Sequence, residues 1–177
     1  MEIQIREFDT RDSVSELTRL IHAGYASVGQ QGFNFPAVDQ TEEKTAERVA
    51  HGICLVAEVQ GTLIGTILVR GPFREAPSTF LVRDDVACCM QFAVHPDWQQ
   101  YGVGTQLMAQ AEALAAAAGY AYLAFDTAAA LEGLVAYYER IGFQRTEEMQ
   151  WPGKNYRSVV MSKRLAPRPA HRAGAAS

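Results

Sequence analysis

The first residues alternate between hydrophobic and polar side chains and predict a β-strand. Residues 3–8 read IQIREF, and a period of two places the apolar side chains on one face of a strand. Ser13 then supplies an N-cap for a helix that we expect to end at about Ala23. Residues 25–40 contain glycines, an asparagine and a proline, which favour a loop.

The middle of the chain predicts a second helix and then a hairpin. Thr41 can cap a helix that carries Glu42 and Glu43 in its first turn and should end near Gly52. The dipeptide QG joins two β-rich runs, ICLVAEV and TLIGTILVR, which indicates a β-hairpin. Beyond the next loop, VACCMQFAV is almost wholly apolar, as expected of a central strand covered on both faces.

The C-terminal half alternates helices and strands. One helix is predicted to follow a pair of glycines and to end at Gly119. Its apolar face comprises Val103, Leu107, Ala111, Leu114 and Ala118. Further along, YAYLAFD indicates a strand and residues 131–140 a helix closed by Gly142. Two last strands, FQRTEEM and YRSVVMS, are joined through a tight turn at WPGK.

The predicted order of elements is β-α-α-β-β-β-α-β-α-β-β. It indicates an α/β (α+β mixed) fold, with a mixed sheet and helices on both of its faces. We expect a single domain over residues 1–165, since no repeat or second apolar core is evident. Residues 166–177 are rich in alanine and proline and are predicted to be a disordered tail.

The charge and hydropathy of the chain argue against several classes of function. The chain has 177 residues, of which 48% are hydrophobic and 20% charged, and a formal net charge of -4. An acidic balance argues against nucleic-acid or anionic-membrane partners. No apolar run approaches the roughly 18 residues that a membrane span needs, and the first residues lack the form of a signal peptide. We therefore expect a cytoplasmic protein.

Cysteine and histidine usage predicts no metal site. The three cysteines form neither a disulfide framework nor a zinc set, and the four histidines are scattered. Cys88 and Cys89 are neighbours in a predicted strand, so their side chains should point to opposite faces of the sheet.

The segment VHPDWQQYGVGT joins a predicted strand to a predicted helix with two nearly adjacent glycines. The first N–H groups of a helix lack internal partners, and glycine lets an anion approach them. Each charge-assisted hydrogen bond contributes about 1.5–3 kcal/mol, whereas micromolar binding requires about 8 kcal/mol. A diphosphate with a long arm therefore fits better than free phosphate. In the alternative interpretation, the glycines merely permit a tight turn.

Two other nucleotide motifs do not match. The dinucleotide fingerprint requires a third glycine where Leu107 stands, and a P-loop requires a Gly-Lys-Ser/Thr ending that is missing. A nucleotide-binding domain of another kind is therefore disfavoured.

At this point the chain resembles the GNAT superfamily of N-acetyltransferases. Their signature, Gln/Arg-x-x-Gly-x-Gly/Ala, is matched by QQYGVG at residues 99–104, which AVHP precedes. Downstream, AYYERIGF is similar to the family's ALYEKLGF, with Tyr138 at the tyrosine position and Gly142 and Phe143 closing the match. The order of elements also agrees with that of the family along nearly the whole chain.

The resemblance implies acetyl-CoA as the acyl donor. Its pyrophosphate would contact the amides of residues 100–105, and its pantetheine arm would pair with the central strand. The implied cofactor-binding residues are Phe92, Ala93, Val94, Gln99, Gln100, Tyr101, Gly102, Val103, Gly104 and Thr105. In the family, the fourth and fifth strands splay apart and the acyl chain enters the gap. Many members carry asparagines after the fifth strand, where this chain has Asp126 and Thr127.

Amine acetylation requires proton transfers, because a lysine-like ammonium titrates near 10.4 and the leaving thiolate must be protonated. The resemblance assigns the proton donor to Tyr138; the alternative is an aromatic core residue. Tyr137 lies about 100° further round the helix and is predicted to pack.

The general base is left open. Candidates are Glu58, Asp84, Asp85 and Glu132, each also explained as a solvated surface charge. His95 could relay a proton but also suits a turn, and a water chain is equally open.

The first interhelical loop suggests an acceptor site. Phe33, Asn34 and Phe35 could line a pocket or pin the loop to the core, and Trp151 and Tyr156 could cover its far side. We expect an N-acetyltransferase acting on a small-molecule or peptide amine. A non-catalytic acyl-CoA-binding module is the alternative. The oligomeric state is left open, with a homodimer as the candidate assembly.

Overall fold

A computed structural model describes residues 2–166, in which seven strands form one mixed sheet. The strands are β1 (Gln4–Glu7), β2 (Ile53–Val59), β3 (Thr62–Arg70), β4 (Val86–Val94), β5 (Tyr122–Ala128), β6 (Gln144–Met149) and β7 (Ser158–Arg164). The helices are α1 (Val14–Gln30), α2 (Glu42–Val49), α3 (Val103–Ala117) and α4 (Glu132–Arg140). The predicted fold class and order of elements are confirmed.

The sheet has the order β1-β2-β3-β4-β5-β7-β6. Its one parallel pair among the described residues is β4 with β5, in the centre. This pair is joined through α3, as a parallel connection requires. The predicted tail at 166–177 falls almost entirely outside the described residues, and the domain limits stay a prediction.

The alternation of strand residues produces two apolar layers. In β2, Cys54 and Val56 pack in a cluster with Leu17 of α1, whereas Leu55 and Ala57 pack in a cluster with α3 and α4. Helices therefore cover both faces of the sheet. Burying both faces is what makes the central strands continuously apolar.

The adjacent cysteines of β4 follow the same rule. Cys88 packs with Leu81 from the β3–β4 loop, and Cys89 packs in the cluster of α3 and α4. Their predicted placement on opposite faces is confirmed. The β3–β4 loop thus covers the part of the sheet that α1 and α2 leave free.

Helix α1 is longer than its sequence indicates. The prediction that it ends at Ala23 is wrong, because the helix continues to Gln30 through two glycines. A Cβ at Gly24 would lie 2.8 Å from the Cβ of Ala93, so glycine lets α1 lie directly on β4. Tertiary packing here outweighs a helix-propensity cost of about 1 kcal/mol per glycine. The predicted face of α3 also needs one correction, since Ala115 is buried and Ala118 is exposed.

The central strands separate where a bulge interrupts β4. Gln91 has a φ of 52°, and the register with β3 shifts there. On its other side, β4 pairs with β5 only from Val86 to Cys88. The predicted splay between the fourth and fifth strands is confirmed, and within residues 2–166 no strand pairs with the later residues of β4 on that side.

Candidate active site

A cavity of about 1110 Å³ occupies the gap between β4 and β5. One end of the cavity is lined by the first residues of α3 and by α4. The other end is lined by α1, by Arg48 of α2 and by the β6–β7 loop. We call residues 99–105 the amide turn. The residues Tyr25, Phe35, Arg48 and Gln91 form what we call the α1–α2 wall.

The amide turn presents its backbone rather than its side chains. Gln106 N–H donates to the Gly102 carbonyl at 3.0 Å, and this is the first bond of α3. Within residues 2–166, the backbone N–H groups of residues 100–105 have no acceptor. Six free donors at a positive helix end are suited to bind an anion such as a diphosphate.

The two glycines of the turn serve different purposes. Gly102 has a φ of 77°, and a Cβ there would approach only the Nε2 atom of Gln106, at 3.9 Å. Its glycine is therefore required by backbone conformation. At Gly104, a Cβ would lie 3.2 Å from Cζ of Phe92, so glycine allows α3 to start close to β4. The tight-turn interpretation and the anion site are thus compatible.

Most residues implied in cofactor binding lie on the cavity. Those that line it are Phe92, Ala93, Val94, Gln99, Gln100, Gly102, Gly104 and Thr105. Tyr101 is 68% exposed and its side chain contacts Trp98, whereas the side chain of Val103 belongs to the core. For these two residues, only the backbone N–H contributes to the amide turn.

Tyr138 lies on the cavity at the C-terminal half of α4. Its ring packs against Phe125 with centroids 4.4 Å apart, and its hydroxyl has no hydrogen bond within residues 2–166. Burial raises the pKa of Tyr138 well above its ordinary value. The phenol therefore keeps its proton at neutral pH, as a proton donor requires.

Tyr137 does more than pack. Its hydroxyl lies 3.5 Å from Oγ1 of Thr105, and its ring lines the cavity beside the amide turn.

The carboxylates that sequence reasoning considered as bases lie mostly elsewhere. Glu58 pairs with Arg6 at 2.6 Å, and Asp85 pairs with Arg83 at 2.6 Å. Asp84 pairs with an arginine of the β3–β4 loop. Of the four candidates, only Glu132 lines the cavity. His95 accepts a bond from the backbone N–H of Asp97 in the turn after β4, which fits a local structural role.

Asp126 of β5 is a carboxylate that sequence reasoning did not consider as a base. It lines the cavity and accepts a hydrogen bond from Nε1 of Trp151 at 3.0 Å. Burial raises the pKa of Asp126. The available signal was a lone acidic residue in an otherwise apolar strand. A perturbed carboxyl in a cleft is suited to proton transfer.

The predicted acceptor residues divide into two groups. Phe35 lines the cavity and stacks on Tyr156 with centroids 4.5 Å apart. Neither Phe33 nor Asn34 lines the cavity formed by residues 2–166. The Asn34 amide instead donates to the Gly153 carbonyl at 2.9 Å and accepts from the Asn155 N–H at 3.0 Å. Those bonds fasten the α1–α2 loop to the β6–β7 loop.

Residues 2–166 show neither a metal-ligand cluster nor a helix that could span a membrane. No three histidine, cysteine or acidic side chains lie close enough together to hold a metal ion. None of the described helices has the length and apolar character that a membrane span requires.

Two curated bacterial enzymes are similar to this chain in sequence. The S-(2-succino)cysteine N-acetyltransferase of Bacillus subtilis (strain 168) is 28% identical over 152 residues, which cover 85% of this chain and 89% of that enzyme. The S-alkylcysteine N-acetyltransferase of the same bacterium is 26% identical over 114 residues, covering 63% of this chain and 61% of that enzyme.

Solved structures share the fold. The PaiA N-acetyltransferase of Thermoplasma acidophilum, solved in complex with coenzyme A, superposes with a TM-score of 0.72 at 15% identity. The match covers 93% of this chain and 100% of that one. At this identity the likeness concerns the fold alone.

The family model for acetyltransferases of the GNAT family matches residues 17–143, well over half of the chain. Together with the relatives, this match confirms the expected N-acetyltransferase and favours it over a non-catalytic binding module. The chain therefore belongs to the GNAT family of acetyltransferases.

Proposed function

We propose that this enzyme transfers the acetyl group of acetyl-CoA to the amine of a small cysteine-derived amino acid. The observation that carries the proposal is the single cavity, which connects the free amides of residues 100–105 with Tyr138 and Asp126. The names of the two bacillary relatives support the choice of acceptor. A peptide amine is the less favoured acceptor.

The chain offers matching contacts for both parts of coenzyme A. The amide turn supplies several N–H donors for the pyrophosphate. In the described part of the chain, no strand lies beside β4 on the β5 side beyond Cys88. Phe92, Ala93 and Val94 can therefore pair with the pantetheine amides as with an added strand. The splay also leaves room for the acyl end.

Asp126 and Tyr138, whose pKa values burial raises, each carry out part of the proton transfer. Acetyl-CoA supplies the acetyl thioester, whose C–S bond breaks as the C–N bond forms. Asp126 accepts the proton that the ammonium must lose before attack and passes it to solvent. Tyr138 protonates the departing sulfur and recovers the second proton that the nitrogen loses. The products are an amide, a thiol and one proton.

Release of free thiol from acetyl-CoA, measured with a panel of amines, tests this proposal. The panel contains S-methylcysteine, a simple alkylamine, lysine and a short peptide. We expect the fastest release with S-methylcysteine. Coenzyme A binding without thiol release for any amine would instead support the non-catalytic alternative.

Several expectations from the sequence stay predictions. They are the cytoplasmic location, the absence of nucleic-acid and membrane partners, the homodimer, and the acceptor roles of Phe33, Asn34 and Phe35.

A further inference from the structure

Arg48 places a guanidinium in the α1–α2 wall without a carboxylate to balance it. The side chain is partly buried and lines the cavity. Among the described residues, no acidic side chain lies within ion-pair distance of it. Burial lowers the pKa of Arg48, yet an arginine keeps its charge at neutral pH. Burying a charge without an opposite charge beside it is unfavourable, and a bound anion would offset that cost.

A chain of hydrogen bonds extends from this cation to the bulge in β4. Arg48 donates from NH1 to the Gln40 side-chain oxygen at 2.6 Å. Because a guanidinium can only donate, the Gln40 atom that faces it must be the oxygen. The amide nitrogen of Gln40 then donates to the side-chain oxygen of Gln91 at 2.7 Å. The charge of Arg48 therefore fixes the orientation of both amides.

The orientation leaves Gln91 with a free donor. Gln91 is 4% exposed, and its Nε2 has no acceptor within residues 2–166. A buried N–H₂ group without a partner is unfavourable unless something else accepts its hydrogen bonds. Gln91 also belongs to the cavity lining, and the bulge with its φ of 52° sets its position. Within residues 2–166, the same wall thus holds a cation without an acidic partner, Arg48, and an amide nitrogen without an acceptor, that of Gln91.

The lining of the same cavity also holds a carboxylate. Asp126 lines it and accepts a hydrogen bond from Nε1 of Trp151 at 3.0 Å. The other cationic side chain of the lining, Lys154, is bound to the Asn34 carbonyl at 2.7 Å. Arg48 is therefore the available cation, and Asp126 a carboxylate of the same cavity that can face an ammonium.

We propose that Arg48 and the Gln91 amide form a binding site for a carboxylate of the acceptor. The acceptor is then an amine that also carries a carboxylate, with its ammonium at Asp126 and its carboxylate at Arg48. This inference rests on the proposed function. It adds that the enzyme selects its acceptor through the acceptor's carboxylate, which binds Arg48 and the Gln91 amide. Simple alkylamines, polyamines and amino-acid amides lack the required anion and are poor acceptors.

The test compares S-methylcysteine with its primary carboxamide and with 2-(methylthio)ethylamine, which lacks the carboxylate. For the parent enzyme we expect kcat/KM to be about 10- to 100-fold higher with the carboxylate, the range of a charge-assisted hydrogen-bond set. Arg48→Gln should remove that preference by raising the KM for S-methylcysteine, while the KM for acetyl-CoA and the rate with the two analogues that lack a carboxylate stay near parental values. Arg48→Lys should retain part of the preference.

Arg145→Gln is the matched control, since Arg145 lies on exposed β6 and pairs with Glu139 outside the cavity. It should behave as the parent does. Equal kcat/KM for the three acceptors in the parent, or equal losses for all three in Arg48→Gln, would overturn the inference and assign Arg48 a structural role. If no amine releases thiol, the proposed function fails. Calorimetric binding of S-methylcysteine to the coenzyme A complex then decides the subsite: weaker binding to Arg48→Gln supports it, and equal binding overturns it.

Discussion

The two ends of the cavity recognise their ligands by different means. At the amide turn, the backbone N–H groups of six consecutive residues, 100–105, have no acceptor within residues 2–166, and Gln100, Gly102, Gly104 and Thr105 line the cavity. In the α1–α2 wall, the polar groups are side chains, and hydrogen bonds through Gln40 connect Arg48 of α2 with Gln91 of β4. The first arrangement suits a ligand shared by a whole family, and the second a ligand that differs among its members.

The two ends of the cavity also differ in how many substitutions they tolerate without loss of the fold. The amide turn depends on backbone conformation at Gly102 and on the close approach of Gly104 to β4, so few substitutions are compatible with it. The wall depends on side chains that line a preformed gap. Exchanging Arg48 would change the chemistry of that wall while the sheet and its helices remain.

The largest expected effect is at Tyr138, between the two ends. Tyr138→Phe should lower kcat by about 10²- to 10⁴-fold, the usual contribution of a general acid. Coenzyme A affinity and thermal stability should hardly change, because the hydroxyl has no hydrogen bond within residues 2–166. Tyr120→Phe, in a half-buried tyrosine outside the cavity lining, is the control. Turnover of Tyr138→Phe at the parental rate would remove the assignment.

Substitution of Asp126 should lower the activity without lowering the thermal stability. Asp126→Asn is expected to lower kcat/KM by roughly 10²-fold and to remove the rise of activity with pH that ionisation of Asp126 produces. Burial raises the folded-state pKa of Asp126 above its unfolded value, so ionisation of Asp126 opposes folding. The free energy of unfolding therefore falls as the pH rises from the unfolded-state pKa to the folded-state pKa. The uncharged variant should therefore have a Tm at neutral pH equal to or above that of the parent. A clear drop in Tm together with parental kcat/KM would contradict both roles.

A smaller effect, on affinity, is expected at the amide turn. Gly102 and Gly119 stand just before and just after α3, with φ values of 77° and 91° and open space for a Cβ. Gly102→Val and Gly119→Val should lose similar stability, about 1–2 kcal/mol of backbone strain each. Only Gly102→Val should weaken coenzyme A binding, by about tenfold or more, which calorimetry measures. Equal affinities for the two variants would argue against the turn as the binding element.

The residues of the amide turn could be predicted from the sequence, whereas Arg48 and Gln91 of the α1–α2 wall could not. Local patterns predicted the order of elements and drew attention to residues 99–105, because a bare strand-to-helix turn is visible within a few residues. The hydrogen bonds from Arg48 through Gln40 to Gln91 connect segments about fifty residues apart. They depend on the bulge in β4, which no local pattern in VACCMQFAV predicted. The extension of α1 beyond Ala23 was missed for a similar reason, since Gly24 is explained only by its contact with Ala93.

Residue-resolved amide hydrogen exchange, with and without coenzyme A, can show whether the backbone of residues 100–105 holds the acyl donor. In the free protein, these N–H groups have no acceptor among residues 2–166 and should exchange fast, whereas those in the middle of α3 should be protected. Saturating coenzyme A should slow exchange across residues 100–105 and along the free edge of β4 near Ala93. Unchanged exchange at the amide turn, with coenzyme A bound, would show that its backbone does not hold the donor.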